Sequence, residues 1–170
     1  MENVKSFLAG TILALSALRV GSRVKVVLSG EPGRFHSTEG FIAQEDEILK
    51  VLTGYLGTGN SFGIHRLADT FLAQDQSVGK TLILVISDSD IFNALGKVQD
   101  GLSGWSVAKD SATKAGGGAT YALHMPESYF PEGVERMRRD LWNVFSLVTQ
   151  EDLVHFARNF SRQHYGRFFR

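Results

Sequence analysis

The chain has 170 residues, a length that is typical of one domain with a sizeable hydrophobic core. Its 18 basic and 18 acidic residues cancel, so the overall charge argues against nucleic acid and against an anionic membrane as partners. The absence of cysteine excludes disulfides, thiolate metal sites and cysteine nucleophiles, and it fits the reducing cytoplasm in which we expect the protein to work.

Residues 7–18 form a largely apolar segment that follows Lys5. The segment is similar to the centre of a signal peptide, but Glu2 weakens the basic start of such a peptide and no small-residue cleavage site follows cleanly. It is also shorter than the roughly 20 apolar residues of a membrane span. We therefore predict a buried first helix that ends at Gly21.

Patterns of apolar residues predict further strands and helices along the chain. In chain order these are a strand at 23–28, a short edge strand at 35–42, helices at 44–56 and 62–74, a strand at 81–86, helices at 91–98 and 107–115, a strand at 119–123, a short helix at 134–139, a strand at 141–148, and a last helix capped by Thr149 and Asp152. This alternation predicts an α/β fold with a doubly wound, mostly parallel sheet and helices on both faces. No linker or repeat interrupts the chain, so residues 1–170 are interpreted as one domain.

The strand predicted at 81–86 is the most informative one, because it has six apolar or β-branched residues and no charge. Such a run is typical of a strand that is buried on both faces of a parallel sheet. It ends in Ser87, Asp88, Ser89 and Asp90, and open α/β sheets bind ligands at the carboxyl ends of their strands. Oxygen atoms there could hold a divalent cation or polarise a substrate. The structural alternative is that Ser89 or Asp90 caps the next helix.

Two glycine-rich segments have both a structural and a functional interpretation. Residues 57–63 are close to a dinucleotide-binding motif but follow a helix instead of a strand, so that interpretation fails. Within them, Thr58, Asn60 and Ser61 bring small oxygen-bearing side chains to the start of a helix, where they would cap it or contact an ion. The run of three glycines at 116–118 favours flexibility or tight packing before a strand over a ligand cradle.

Together these segments resemble the von Willebrand factor type A domain, particularly its bacterial intracellular kind. The resemblance covers nearly the whole chain and rests on four segments in the family's order: LRVGSRVKVVLSG, YLGTGNSFGIHRL, TLILVISDSD and DLWNVFSLVTQEDLVHFARNFSRQHYG. It implies a Rossmann-like sheet and a non-enzymatic module that binds a protein partner. The partner itself cannot be read from the sequence.

The resemblance also implies a metal-ion-dependent adhesion site, which in this family takes ligands from three motifs around magnesium (Mg2+). Asp88 matches the aspartate of the third motif, and Thr58 or Asn60 falls near the threonine of the second. The D-x-S-x-S motif of the first strand has no counterpart in this chain. Because magnesium requires six oxygen ligands, the resemblance implies a degenerate site that binds the ion weakly or not at all. The residues expected to contact the partner around it are Ser61, Ser87, Ser89 and Asp90.

The family's first strand is also missing, and it would lie between the strands at 24–28 and 82–86. Its absence leaves two strand edges with unpaired backbone groups. We expect these two strands to pair directly, or another molecule to supply a strand, or the chain to be a fragment of a longer protein. The same edges predict self-association.

Two further functional classes stay open. Asp88 and Asp90 resemble, loosely, the D-x-D arrangement of aspartate-dependent phosphotransferases, in which one acid is the nucleophile and the other a general acid. That family, however, places its motif on the first strand. The other class is a purely structural domain of a larger assembly, in which the two acids only cap a helix.

Overall fold

The structure, a computed structural model, describes residues 2–30, 35–54, 63–73 and 79–166, with only the backbone for residues 2–7. The chain divides into two compact units, Met1–Thr58 together with Thr149–Arg170, and Gly59–Val148. The first unit contains α1 (Glu2–Arg19), β1 (Val27–Ser29), β2 (Phe35–Ser37), α2 (Glu45–Leu52) and α7 (Gln150–Tyr165). The second contains α3 (Arg66–Phe71), β3 (Thr81–Ser87), α4 (Ile91–Gly96), β4 (Val98–Gln99), β5 (Leu102–Ser103), α5 (Gly104–Ala115), β6 (Gly116–Leu123), α6 (Pro131–Arg139) and β7 (Trp142–Ser146), with 3₁₀ turns at Gly63–His65 and Glu127–Tyr129.

The helix predicted at the N-terminus is confirmed as α1, which packs against α2 and α7 within the first unit. It ends as expected at Gly21, which has a φ of +81°. The Gly21 N–H donates to the Leu18 carbonyl at 2.9 Å, and the Ser22 N–H donates to the Ala17 carbonyl at 3.0 Å. This pair of bonds is a Schellman motif, which satisfies the last carbonyls of the helix. None of the helices in the described ranges is long and apolar enough to cross a membrane.

The strand predicted at 23–28 does not belong to a parallel sheet, and that part of the fold prediction is wrong. β1 pairs with β2 in antiparallel fashion, with Val27 opposite Ser37, and the Val24–Ile42 bridge extends the pair. Only residues 30–34 connect the two strands, and a parallel pair needs a crossover of about a dozen residues. β1 and β3 therefore lie in separate sheets, and the direct pairing expected between them does not form among the described residues.

The last helix, α7, begins as the sequence predicts. The Thr149 hydroxyl accepts a hydrogen bond from the Asp152 N–H at 3.2 Å, and the Asp152 carboxylate accepts one from the Thr149 N–H at 2.7 Å. This reciprocal pair is a capping box. Phe156 and Phe160, predicted to face inward, are buried.

The second unit confirms the coarser prediction of an α/β fold with a parallel sheet and packed helices. Its sheet has the order β3-β6-β7, and both neighbouring pairs are parallel. The central strand is β6, whose residues from Ala119 to Leu123 are all buried. β3, predicted to be buried on both faces of a parallel sheet, is an edge strand among the described residues, and only its Ile83 is buried. The apolar composition of a strand indicates that its faces are covered by other parts of the protein. It does not indicate whether one or both of its edges pair with another strand.

One face of this sheet forms a core with α3, α4, α5 and α6. Tyr121 of β6 stacks on Trp142 of β7, with ring centroids 4.1 Å apart. The Trp142 indole N–H donates to the Ala108 carbonyl of α5 at 3.3 Å, which fixes the helix against the sheet. Burial, with a smaller contribution from nearby Asp140, raises the pKa of Tyr121 far above its ordinary value, so the phenol stays protonated.

The glycine run at 116–118 serves tight packing, one of the two structural roles that the sequence predicts. A Cβ atom on Gly117 would lie 2.4 Å from the Thr81 carbonyl oxygen of β3. The strand backbones therefore meet at a distance that a side chain would prevent. Gly118, with a φ of +108°, adopts a backbone conformation that other residues rarely reach. The register between β3 and β6 shifts at this point, between Thr81 and Ile83.

The hairpin of β4 and β5 is absent from the sequence prediction, which extends a helix to residue 98 instead. Asp100 and Gly101 form its two-residue turn with φ values of 51° and 78°, as a type I′ turn requires. Buried His65 lies beneath it, with Nε2 3.1 Å from the Lys97 carbonyl oxygen and 3.2 Å from that of Leu102. Strands of two residues are too short to show alternation, and Asp-Gly is the signal that would have revealed the turn.

Candidate functional site

The three parallel strands end side by side at the carboxyl edge of the sheet. Ser87 of β3 is in register with Leu123 of β6, which is in register with Ser146 of β7. Two backbone hydrogen bonds continue past the strands: the His124 N–H donates to the Ser87 carbonyl at 2.8 Å, and the Leu147 N–H donates to the Leu123 carbonyl at 2.7 Å. The turn after β3 thus adjoins the segment after β6.

Four of the predicted site residues, Ser87 to Asp90, lie at the end of β3 and in the turn that leads to α4, and we call this segment the acidic turn. Asp88 and Asp90 are exposed, while Ser87 and Ser89 are half-buried. The Asp88 carboxylate Oδ1 accepts a hydrogen bond from the Asp90 N–H at 2.9 Å, and the Ile91 N–H donates to the Asp88 carbonyl at 3.3 Å. The sequence thus locates an exposed pair of acids at the ligand-binding edge of this fold class.

The cap of α4 differs from the prediction that assigned it to Ser89 or Asp90. The Asp90 side chain makes no capping hydrogen bond. Its backbone already has helical angles, with φ at −66° and ψ at −15°, so the first turn of the helix begins before residue 91. The capping carboxylate is therefore that of Asp88, which satisfies the N–H of Asp90.

We expect the substitution Asp88→Ala to lower the free energy of unfolding by about 1 kcal/mol, because it removes the acceptor of this bond. Asp90→Ala is the matched control and should change stability by less than about 0.5 kcal/mol, since no capping bond is lost. Asp88→Asn should restore most of the stability, because the amide oxygen can still accept. Urea unfolding followed by circular dichroism measures all three, and equal losses for both alanine variants would contradict this assignment.

The other predicted site residues, Thr58, Asn60 and Ser61, lie outside the described residues. Their roles as metal ligands or partner contacts stay predictions. The described side chains do not by themselves fit a magnesium ion. One oxygen of Asp88 already accepts a hydrogen bond, and no group of three or more histidines, cysteines or acids converges within the described ranges.

Two residues at the carboxyl edge were missed by the sequence analysis. His124 directly follows β6 and is half-buried beside the acidic turn. Ser146 ends β7, and its hydroxyl donates to the Met125 carbonyl, which ties the segment after β6 to the end of β7. The signal that singled out Asp88, a polar residue at the end of an apolar strand, applies equally to both positions.

Two arginines of α6, Arg136 and Arg138, have partners within the same unit. Arg138 donates to Glu127 at 2.7 Å and to Glu135 at 3.1 Å, and these hydrogen bonds raise its pKa. Arg136 lies 4.2 Å from the centroid of the Trp105 ring. These contacts are typical of a solvated helix face.

No protein-family model matches this sequence, and no curated protein or solved structure matches it either. The von Willebrand factor type A resemblance therefore stays a prediction. At the carboxyl edge of the sheet, the acidic turn presents two exposed carboxylates.

Proposed function

We propose that this protein is a non-enzymatic interaction module, built like a von Willebrand factor type A domain, which binds a protein partner through the acidic turn. The observation that carries the proposal is the exposure of two carboxylates at the carboxyl edge of a parallel sheet. The described part of the chain gives neither Asp88 nor Asp90 an ion pair. Both charges are therefore available to basic groups on a partner.

The finer architecture belongs to the same proposal. A doubly wound sheet with helices on both faces would present its strand ends to a partner from one side. Three parallel strands whose connections run through α4, α5 and α6 support the parallel sheet, and these helices pack on one of its faces. The contacts that we propose are direct hydrogen bonds and ion pairs from the two carboxylates, without a bridging ion.

The test begins with the immobilised full chain, which captures proteins from a lysate for identification by mass spectrometry. Calorimetry with a purified captured protein then compares the unaltered chain with the double variant Asp88→Asn, Asp90→Asn. These changes remove charge and keep the shape and the capping acceptor, so we expect at least a tenfold weaker affinity. The matched control is Asp110→Asn, Glu132→Asn, which removes two exposed charges elsewhere.

Equal affinities for the site variant and the control variant would refute the proposal. Titration of the chain with magnesium chloride, with and without the purified partner, tests the metal-dependent version that the family resemblance implies. If the unaltered chain shows heat of magnesium binding and the Asp88→Asn variant does not, metal-dependent binding replaces direct contact as the mechanism.

The phosphotransferase alternative has a separate test. A chromogenic aryl phosphate is incubated with the chain and with Asp88→Asn. Turnover by the unaltered chain that the variant lacks would assign a catalytic role to the acidic turn. The structural alternative is favoured by the capping bond of Asp88, and it predicts that the charge-removing double variant loses neither stability nor partner affinity.

A further inference from the structure

β3 has one edge paired with β6 and an opposite edge that no strand occupies among the described residues. Because the Ser87 carbonyl accepts from the His124 N–H, the backbone groups of Ser87, Val85 and Ile83 point towards β6. Those of Leu82, Leu84 and Ile86 alternate with them and point outward. Within the described ranges, none of these outward groups has a recorded backbone partner.

The sequence of β3 is not that of a protected edge. Exposed edge strands are normally short, or they contain lysine, proline or a bulge that prevents pairing with another chain. β3 has seven residues, Thr81–Ser87, without a charge or a proline. The irregularity in its register lies against β6 and does not interrupt the outer edge.

We propose that β3 pairs with the β3 strand of a second copy of this chain, antiparallel and about a two-fold axis at Leu84. The two three-stranded sheets then become one continuous sheet. Leu84 lies opposite its own copy, and Leu82 lies opposite Ile86 of the second copy. These are the residues whose N–H and C=O groups point outward, so the pairing satisfies donors and acceptors on both strands. This proposal does not rest on the proposed function.

The same register brings opposite charges together. With the axis at Leu84, Lys80 of each copy lies opposite Asp88 of the other. Both side chains are exposed, and the described residues provide neither of them with an ion pair. Opposite charges directly across an antiparallel pair are stabilising, and like charges are destabilising.

Neighbouring registers lack this complementarity. An axis at Ile83 would place Lys80 opposite Ile86. An axis at Val85 would place Asp88 opposite Leu82 and Lys80 level with Asp90, whose backbone is already helical and cannot continue a strand ladder. Each alternative sets a charge against an apolar side chain. The register at Leu84 is the one that matches apolar residues with apolar residues and the basic residue with the acidic one.

Sedimentation velocity over a range of concentrations tests the proposal with the full chain. We expect the unaltered chain to dimerise, and we expect Lys80→Glu or Asp88→Lys alone to weaken the dimer at least tenfold. The combined variant Lys80→Glu, Asp88→Lys should restore the dimer, because the reversed charges again face each other. Lys114→Glu, an exposed reversal on α5, is the matched control and should leave the dimer unchanged.

A single engineered cysteine gives a second test, because the chain has no cysteine of its own. In an antiparallel hydrogen-bonded pair the Cα atoms are about 5.5 Å apart, within disulfide range. Oxidation of the Leu84→Cys variant should therefore produce a covalent dimer, while Val98→Cys on exposed β4 should not. A monomer at all concentrations would overturn the proposal. So would a dimer that ignores the single reversals, or one that the combined reversal does not restore.

Discussion

The substitution Trp142→Ala is expected to lower the free energy of unfolding by about 3–5 kcal/mol, the largest single loss that we predict for this chain. Trp142 is 3% exposed, stacks on Tyr121, and donates its indole N–H to Ala108 of α5. The alanine variant leaves a cavity between β6, β7 and α5. For a chain of this size the melting temperature should fall by roughly 10 °C.

Urea unfolding measures this loss, with circular dichroism and the fluorescence of the remaining Trp105 as two probes. Trp142→Phe separates the two contributions, because it keeps an aromatic ring on Tyr121 but removes the indole hydrogen bond. It should cost about 1–2 kcal/mol. The control is the neighbouring Leu141→Gly: Leu141 is 71% exposed with a φ of +70°, so glycine should cause no loss. A Trp142→Ala loss below that of Trp142→Phe would contradict the packing described above.

The substitution Gly104→Ala is expected to be the second most damaging, at about 1–3 kcal/mol. A Cβ atom on this first residue of α5 would lie 2.6 Å from the Ala94 carbonyl oxygen and 2.7 Å from the Leu95 Cα. Both atoms belong to the backbone of α4, so no side-chain rotation can relieve the overlap. The two helices would have to move apart, which would open the core that they share.

Gly96→Ala supplies the matched control for this effect. Gly96 is the last residue of α4, and no atom lies within 4 Å of the position that its Cβ would occupy. Alanine has the better helix propensity, so this variant should be as stable as the unaltered chain or more stable by up to about 1 kcal/mol. Thermal unfolding measures the melting temperatures of both variants. If Gly104→Ala melts at or above the temperature of Gly96→Ala, the close approach of α4 and α5 is wrong.

Much of the fold could be predicted from the sequence wherever a local signal decides the structure. Gly21 and the Thr149–Asp152 pair end and begin helices through hydrogen bonds between near neighbours in the chain. Strand order follows no such local signal. β6 begins with three glycines and contains small residues, so its sequence does not indicate the central strand of the sheet. The position of a strand in a sheet depends on contacts between distant segments, which hydrophobic patterns do not encode.

In the candidate site, too, local sequence signals predict some features and not others. An apolar strand that ends in Asp88 marked the acidic turn, and this turn lies at the carboxyl edge as predicted. The pairing of strand ends that brings His124 beside Ser87 depends on the register of β3 with β6. Register depends on how two distant segments of the chain align. Local sequence patterns therefore do not predict that His124 lies beside Ser87.

The division of the chain into units has a consequence for how it folds during synthesis. The second unit, Gly59–Val148, is one continuous segment, and its sheet order follows chain order. It can fold on the ribosome as soon as β7 has emerged. The first unit must wait, because α1 packs against α7, which is made after the second unit. Helix α1 therefore keeps its apolar residues uncovered by α7 while the second unit is synthesised, and this interval is when chaperones would have most reason to bind the nascent chain.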